Sequence, residues 1–130
     1  MNANQHDTAG IGVTIGIALA TQHPAIIAGS LAGFLWLSPD VDLPHSRPSR
    51  RWGPLKAIWA PLQATTQHRG ITHVPVVGAL VMMAYLAVPV AAIAILSGHV
   101  GMLGAIAPLS IPFAFGVVVQ QLTHLALDRI

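Results

Sequence analysis

Residues 38–73 read SPDVDLPHSRPSRRWGPLKAIWAPLQATTQHRGITH, and this polar belt decides how the rest of the chain is understood. It holds two of the four carboxylates, three of the seven histidines and five of the six Lys and Arg residues. On both sides of it the sequence is almost wholly apolar. The chain is 54% hydrophobic and only 8% charged, with a mean hydropathy of +0.68. A soluble domain carries about 25% charged residues, so these 130 residues have too little charge to wet a globular surface. The composition predicts an all-α fold: a small polytopic membrane helix bundle of about four membrane helices, the first two short, with a polar metal-binding end. A single domain over residues 1–130 accommodates it.

With no cysteine there is neither a disulfide framework nor a thiolate site, so a metal must be held by imidazole and carboxylate. The net charge of +2 and the clustering of the basic residues argue against nucleic acid as a partner. The N-terminal residues before Thr8 contain no Lys or Arg, which predicts a retained segment rather than a signal peptide.

Outward from the belt, a first helix is expected from Asn4 or His6 to Gln22, capped by Asn4 or Asp7, and a second from Ala25 to Leu37 after the His23-Pro24 break. At roughly 14 to 18 residues each they reach only about 21 to 27 Å, short of a bilayer core of about 30 Å. Gly12/Gly16 and Gly29/Gly33 have the spacing that lets helix backbones approach closely. Val74 to Leu96 is long enough to cross, with a kink expected at Pro89. From His99 to Ser110, Gly101, Gly104 and Pro108 predict a loop or short interfacial helix. A last helix follows from Pro112 to Arg129.

If each helix crosses, every charged side chain falls at one end, and the basic belt places that end in the cytoplasm of a multi-pass inner (cell) membrane protein. Trp52, Lys56 and Trp59 are expected to lie along the headgroup layer among membrane lipids. The same end gathers residues able to hold a divalent ion. His6 and Asp7 start the first helix. Asp40 and Asp42 point the same way if their segment is extended. His68 and His73 flank Gly70, which permits a turn aiming both imidazoles at one point. His124 and Asp128, four apart, share a helical face. His6, Asp42, His68, His73, His124 and Asp128 are the expected metal donors, with Asp40 as a further donor or a bridge. Zinc, manganese or iron suits such a set, as one or two ions. Gln120, Gln121 and Thr123 are expected to orient the donors. Arg69, between two imidazoles, is placed either to hold a phosphate as a catalytic residue or to pair with an aspartate. His23 and His99 fall on the opposite side, and His45 lies in a loop.

The run LSPDVDLPHSRPSRRWGPLKAIWAPLQATTQHRGITHVPVVG resembles the core of a group of uncharacterised bacterial metal-binding membrane proteins. That group is similar in turn to YdjM-like inner-membrane proteins regarded as metal-dependent hydrolases. The marks are PDxD at Pro39–Asp42, HRGxTH at His68–His73 and a late HxxxD at His124–Asp128, with an early histidine matching His6. The family's motif continues into Ser where this chain has Val74. The resemblance implies a membrane-embedded metal-dependent hydrolase; a metal-activated water there is expected to attack an ester or phosphoester, and the location of the donors at the lipid–water boundary favours a lipid phosphoester. A non-catalytic metal-binding scaffold, or a metal-handling transport protein, needs the same donors but no substrate groove. The middles of the helices offer little beyond Thr14, Ser30 and Tyr85, which argues against an ion path.

Overall fold

The computed structural model describes residues 3–129. Among them every regular element is helical: α1 (Ala3–Thr21), α2 (Pro24–Leu35), a 3₁₀ turn Pro39–Asp42, α3 (Arg47–Arg51), a 3₁₀ helix Gly53–Trp59, α4 (Ala60–Thr65), a 3₁₀ turn Ile71–His73, α5 (Val77–Leu96) and α6 (Val100–Leu127). The two short leading helices are present as expected. Pro24 starts α2 after an extended His23, where its missing N–H costs nothing. Asp7 does not cap α1, because the helix already begins at Ala3.

The last helix departs from expectation. Instead of a loop over His99–Ser110, α6 runs unbroken for 28 residues through Pro108 and Pro112. Glycine and proline disrupt helices in water, where a freed carbonyl can turn to solvent. In an apolar setting a backbone leaving the helix would strand many polar groups, so the helix continues through them. At ~1.5 Å per residue, α5 with 20 residues and α6 with 28 measure about 30 and about 42 Å. These two are long and apolar enough to cross a membrane. α2, with 12 residues, is shorter than a span, and α1, though 19 residues long, opens on polar residues 4–8, so neither is both long and apolar enough to cross and the expectation of four crossings is not confirmed.

Small residues decide the packing of α2 on α6. A Cβ on Gly29 would collide with the Phe113 carbonyl, and one on Gly116 with the Ile26 carbonyl, while Gly33 faces the Val117 backbone. Gly12 and Gly16 face open space, so only the second of the two glycine pairs is a contact. Across this seam the buried Gln120 Nε2 lies 2.9 Å from each of Gly10 O, Thr14 Oγ1 and Ser30 Oγ, and its two N–H groups shared among them tie α1, α2 and α6 together. Thr14 and Ser30 are thus structural, and Gln120 braces helices rather than metal donors.

The belt folds over the end of this bundle around an apolar cluster of Leu37, Val41, Trp59, Leu62, Ala79, Met82 and Val117. Trp59 is fully buried, stacked on Tyr85 with ring centroids 5.5 Å apart. It is a core residue, not one lying in the headgroup layer. Trp52 packs edge-on against it and donates to Trp36 O, while Lys56 and Leu55 stay exposed.

Candidate metal centre

The charged end brings histidines and aspartates from four parts of the chain close together. Asp40, on the 3₁₀ turn after α2, places Oδ1 3.4 Å from His73 Nε2 and 3.5 Å from His124 Nε2. His124 Nε2 is 3.5 Å from Asp128 Oδ2, one turn further along α6. His6, from the start of α1, puts Nε2 3.2 Å from Asp128 Oδ1 and stacks its ring 4.6 Å from that of His124. The donor atoms of Asp40, His73, His124 and Asp128 all lie within 4.8 Å of one another.

Those separations are informative. A hydrogen bond draws N and O to about 2.9 Å, whereas two donors sharing a tetrahedral ion at ~2.0–2.2 Å stand roughly 3.3–3.6 Å apart. His73 Nε2, His124 Nε2 and His6 Nδ1 are buried nitrogens without a hydrogen-bond partner among the described residues. Buried polar atoms are ordinarily satisfied. Imidazoles aimed at carboxylates and left at this distance fit a divalent cation. Two carboxylates and neutral imidazoles also supply the two negative charges such an ion would balance.

Asp40 is shaped for this task. Burial alone would raise its carboxyl, but hydrogen bonds and charge from the facing His124 and His73 imidazoles, when these carry the proton, outweigh that and hold it well below the usual carboxylate range. A divalent ion would supply that positive charge in place of the proton.

Asp42 plays a different part, because the PDVD segment is a 3₁₀ turn and not the extended segment expected. At three residues per turn, positions two apart face different ways. Asp40 meets His73 Nε2 and His124, while the buried Asp42 turns to the other side of His73. Asp42 accepts from Thr72 Oγ1 at 2.9 Å and lies 3.1 Å from His68 Nδ1. Thr72 has a single proton, which goes to the carboxylate. Its oxygen therefore accepts from His73 Nδ1, 3.1 Å away. That fixes the proton on Nδ1 and leaves the Nε2 lone pair facing Asp40. Asp42, His68 and His73 also form a metal-like trio, but an ion there would need the His73 nitrogen already occupied by Thr72.

Several supporting residues were not singled out by the sequence. Ser38 Oγ lies 3.5 Å from His124 Nδ1. Gln121 does orient a donor, as expected, but through backbone: its amide donates to Thr72 O at 2.8 Å and Val74 O at 3.3 Å, and its oxygen accepts from Ala79 N at 2.7 Å. It brackets His73 from both sides. Among the described residues Thr123 bonds only to Val119 O and braces no donor. The turn before His73 bends at Arg69, with φ +64°, not at Gly70. Gly70 is needed for closeness, since a Cβ there would stand 2.7 Å from Gln67 O. Arg69 is exposed and opens with His73, Asp128 and Arg129 on a cavity of about 190 Å³. His23, His45 and His99 are exposed and outside both donor groups.

A larger cavity of about 290 Å³ reaches the centre from the opposite side, bordered by His6, Asp40 and His124 and, beyond them, by Phe34, Arg47 and Arg51. Asp7, unassigned as a donor, accepts from both arginines: Arg47 at 3.0 Å and Arg51 at 3.1 Å.

Comparison with known proteins supports metal binding as such. The family model described as "Uncharacterized metal-binding protein (DUF2227)" matches residues 3–130. An uncharacterized protein of Aquifex aeolicus (strain VF5) is 53% identical over 58 residues, 45% of this chain and 41% of that protein. The chain thus covers well under two thirds of that relative's length. No solved structure matches.

Proposed function

Because the chain belongs to the uncharacterized metal-binding protein family DUF2227, we propose that it is a membrane-embedded metal-dependent hydrolase acting on an ester or phosphoester. Asp40, His73, His124 and Asp128 hold a single divalent ion, with His6 as a further donor at the cavity edge. Zinc suits the two-nitrogen, two-oxygen set, and manganese or iron are the other choices. Asp42, Thr72 and His68 hold His73 in the donor tautomer. Such orienting partners are typical of metal-binding histidines.

The observation that carries a catalytic reading is the 290 Å³ cavity bordered by three of the donor residues. A purely structural ion is enclosed by its donors, whereas a catalytic one keeps a side open. An ion held there by Asp40, His73, His124 and Asp128 would supply Lewis acidity and a water of lowered pKa for hydrolysis of the ester to acid and alcohol. The chain's own residues bind and orient: Asp40 and Asp128 provide the anionic donors, and the cavity walls exclude bulk water. Arg69, on the other side, is kept as a candidate for stabilising negative charge.

In this proposal α5 and α6 span the bilayer and the site lies at its cytoplasmic surface. The many exposed apolar side chains on these helices support the membrane setting, among them Val88, Leu96 and Ile111. The arginine-rich belt supports the orientation.

Metal analysis of the purified wild type, His73→Ala and Asp128→Ala, followed by turnover on a panel of carboxylic and phosphoric esters, tests the reading. Bound divalent metal in the wild type, its loss in both variants and turnover by the loaded protein are expected. Unchanged metal content in the variants would overturn the site. Retained metal with no turnover would leave the scaffold reading.

A further inference from the structure

The arginine cluster on the far wall of the larger cavity has no part in holding the ion, yet it is built with care. Arg51 is fully committed: one nitrogen reaches both Asp7 oxygens, another leans on the carbonyls of Phe34 and Leu35, and the guanidinium lies over the Phe34 ring at 5.2 Å. Arg47 is not committed. It gives Asp7 one bond of 3.0 Å and makes no other hydrogen bond among the described residues, while its side chain is 42% exposed. A guanidinium has five N–H donors, so most of the Arg47 fork is open. Two arginines against the single carboxylate of Asp7 leave an excess positive charge at this wall, while the second carboxylate of the lining, Asp40, stands at the other border with His124 and His6, where the ion would neutralise it.

A carboxylic ester is neutral and would give this charge nothing to meet. A phosphate ester carries an anionic, multi-oxygen group matched to a guanidinium fork. Phe34, Leu43, Pro48 and Leu127 complete the wall with apolar surface suited to the rest of such a molecule.

We infer that this cavity is the substrate pocket, that its substrate is a phosphoester, and that Arg47, held in place by the Asp7–Arg51 pair, binds the phosphate. The inference rests on the metal-site reading of the preceding subsection and narrows its substrate class. It assigns anion binding to Arg47, a residue of the belt 22 positions before Arg69 in the sequence.

The test uses the full chain in detergent or nanodiscs, loaded with zinc, and compares wild type with Arg47→Gln and Arg47→Lys. Metal content is measured first. A wild type that holds no zinc refutes the metal reading itself. With zinc retained in all three proteins, binding of inorganic phosphate is measured by calorimetry, and binding of phosphatidic acid is measured in nanodiscs against phosphatidylcholine controls. Arg47→Gln is expected to weaken phosphate or phosphatidic acid binding about tenfold or more, the scale of a lost charge-assisted hydrogen bond, and Arg47→Lys to recover part of it. Because Asp7 keeps Arg51 as partner, the fold should survive the change. Response to soluble phosphate identifies a free anion as sufficient, whereas response only to phosphatidic acid identifies a lipid headgroup; either supports the inference. Equal binding by wild type and Arg47→Gln, or none of either ligand by the zinc-loaded wild type, would overturn it.

Discussion

Thr72 is buried completely and offers one proton to two neighbours that both want a partner. Asp42 can only accept, so the hydroxyl points there, and its oxygen receives the His73 Nδ1 proton. The consequence lies across the ring, where His73 Nε2 is left as a lone pair in front of Asp40. Thr72→Val keeps the shape but removes both the donor and the acceptor. We expect it to lower metal affinity by about 10- to 100-fold, the range for lost orienting partners, with Thr72→Ser close to wild type. Competition against a zinc-binding dye reads this directly. Equal affinity in Thr72→Val and wild type would show that something else fixes the tautomer. The sequence put acids and imidazoles at four separated helix ends; the fold gathers Asp40, His73, His124 and Asp128 into one group, whereas Asp42 and His68, expected in the same set, form a second group with His73. Thr72 was not legible from sequence. A threonine between isoleucine and histidine looks like any other until the fold shows which carboxylate it faces.

Among the elements, α6 does most to assemble the site, and it does so through two adjacent glutamines with different duties. Gln120 faces the α1–α2 seam, and Gln121, a ~100° turn around the helix, faces the segment carrying His73. Gln121→Leu would leave the Thr72 carbonyl and Ala79 N–H buried without partners, each loss on the order of 1–3 kcal/mol. We expect a lower melting temperature and weaker metal binding together. Gln121→Glu keeps the bond from Ala79 N but sets a carboxylate against the Thr72 carbonyl, so it should not rescue either. Thermal unfolding with and without zinc separates the two effects; a destabilised variant with wild-type zinc affinity would deny Gln121 its positioning role. The sequence marked these glutamines as polar groups near His124 but not which neighbour each would find, since that depends on how α6 is rotated against α2 and α5. The same limit explains the misplaced loop in α6. Gly101, Gly104 and Pro108 carry helix penalties measured in water, and those penalties do not apply to a helix whose alternative is unsatisfied backbone in an apolar medium. Trp59 was misread for a related reason: composition cannot distinguish a tryptophan facing headgroups from one stacked under the belt on Tyr85.

At the scale of the whole molecule, the structure is two-tiered. The tier at the charged end has α1, α2 and the belt packed around α6, while the remote halves of α5 and α6 form a hairpin with its apolar side chains largely exposed. Composition placed all the charge at one end; length and apolarity together decide which elements can cross, and α1, though 19 residues long, begins with polar residues at the charged end. α5 measures about 30 Å at ~1.5 Å per residue and α2, with 12 residues, about 18 Å. If the charged tier sits at one headgroup layer, the Ser97–His99 turn emerges on the opposite side while the turn at His23 ends within the bilayer. The natural absence of cysteine makes this measurable with single introduced thiols and a membrane-impermeant maleimide. Ser97→Cys should react in intact cells. His45→Cys, exposed in the belt, should react only after the membrane is permeabilised if the arginine-rich face is cytoplasmic as proposed. His23→Cys should react more slowly than either, since a thiol shielded by lipid ionises poorly and the maleimide does not enter the bilayer. Reaction of Ser97→Cys and His45→Cys from the same side would mean that the α5–α6 hairpin does not cross, and the metal centre would then have to be understood in a protein that covers its apolar surface by self-association instead of lipid.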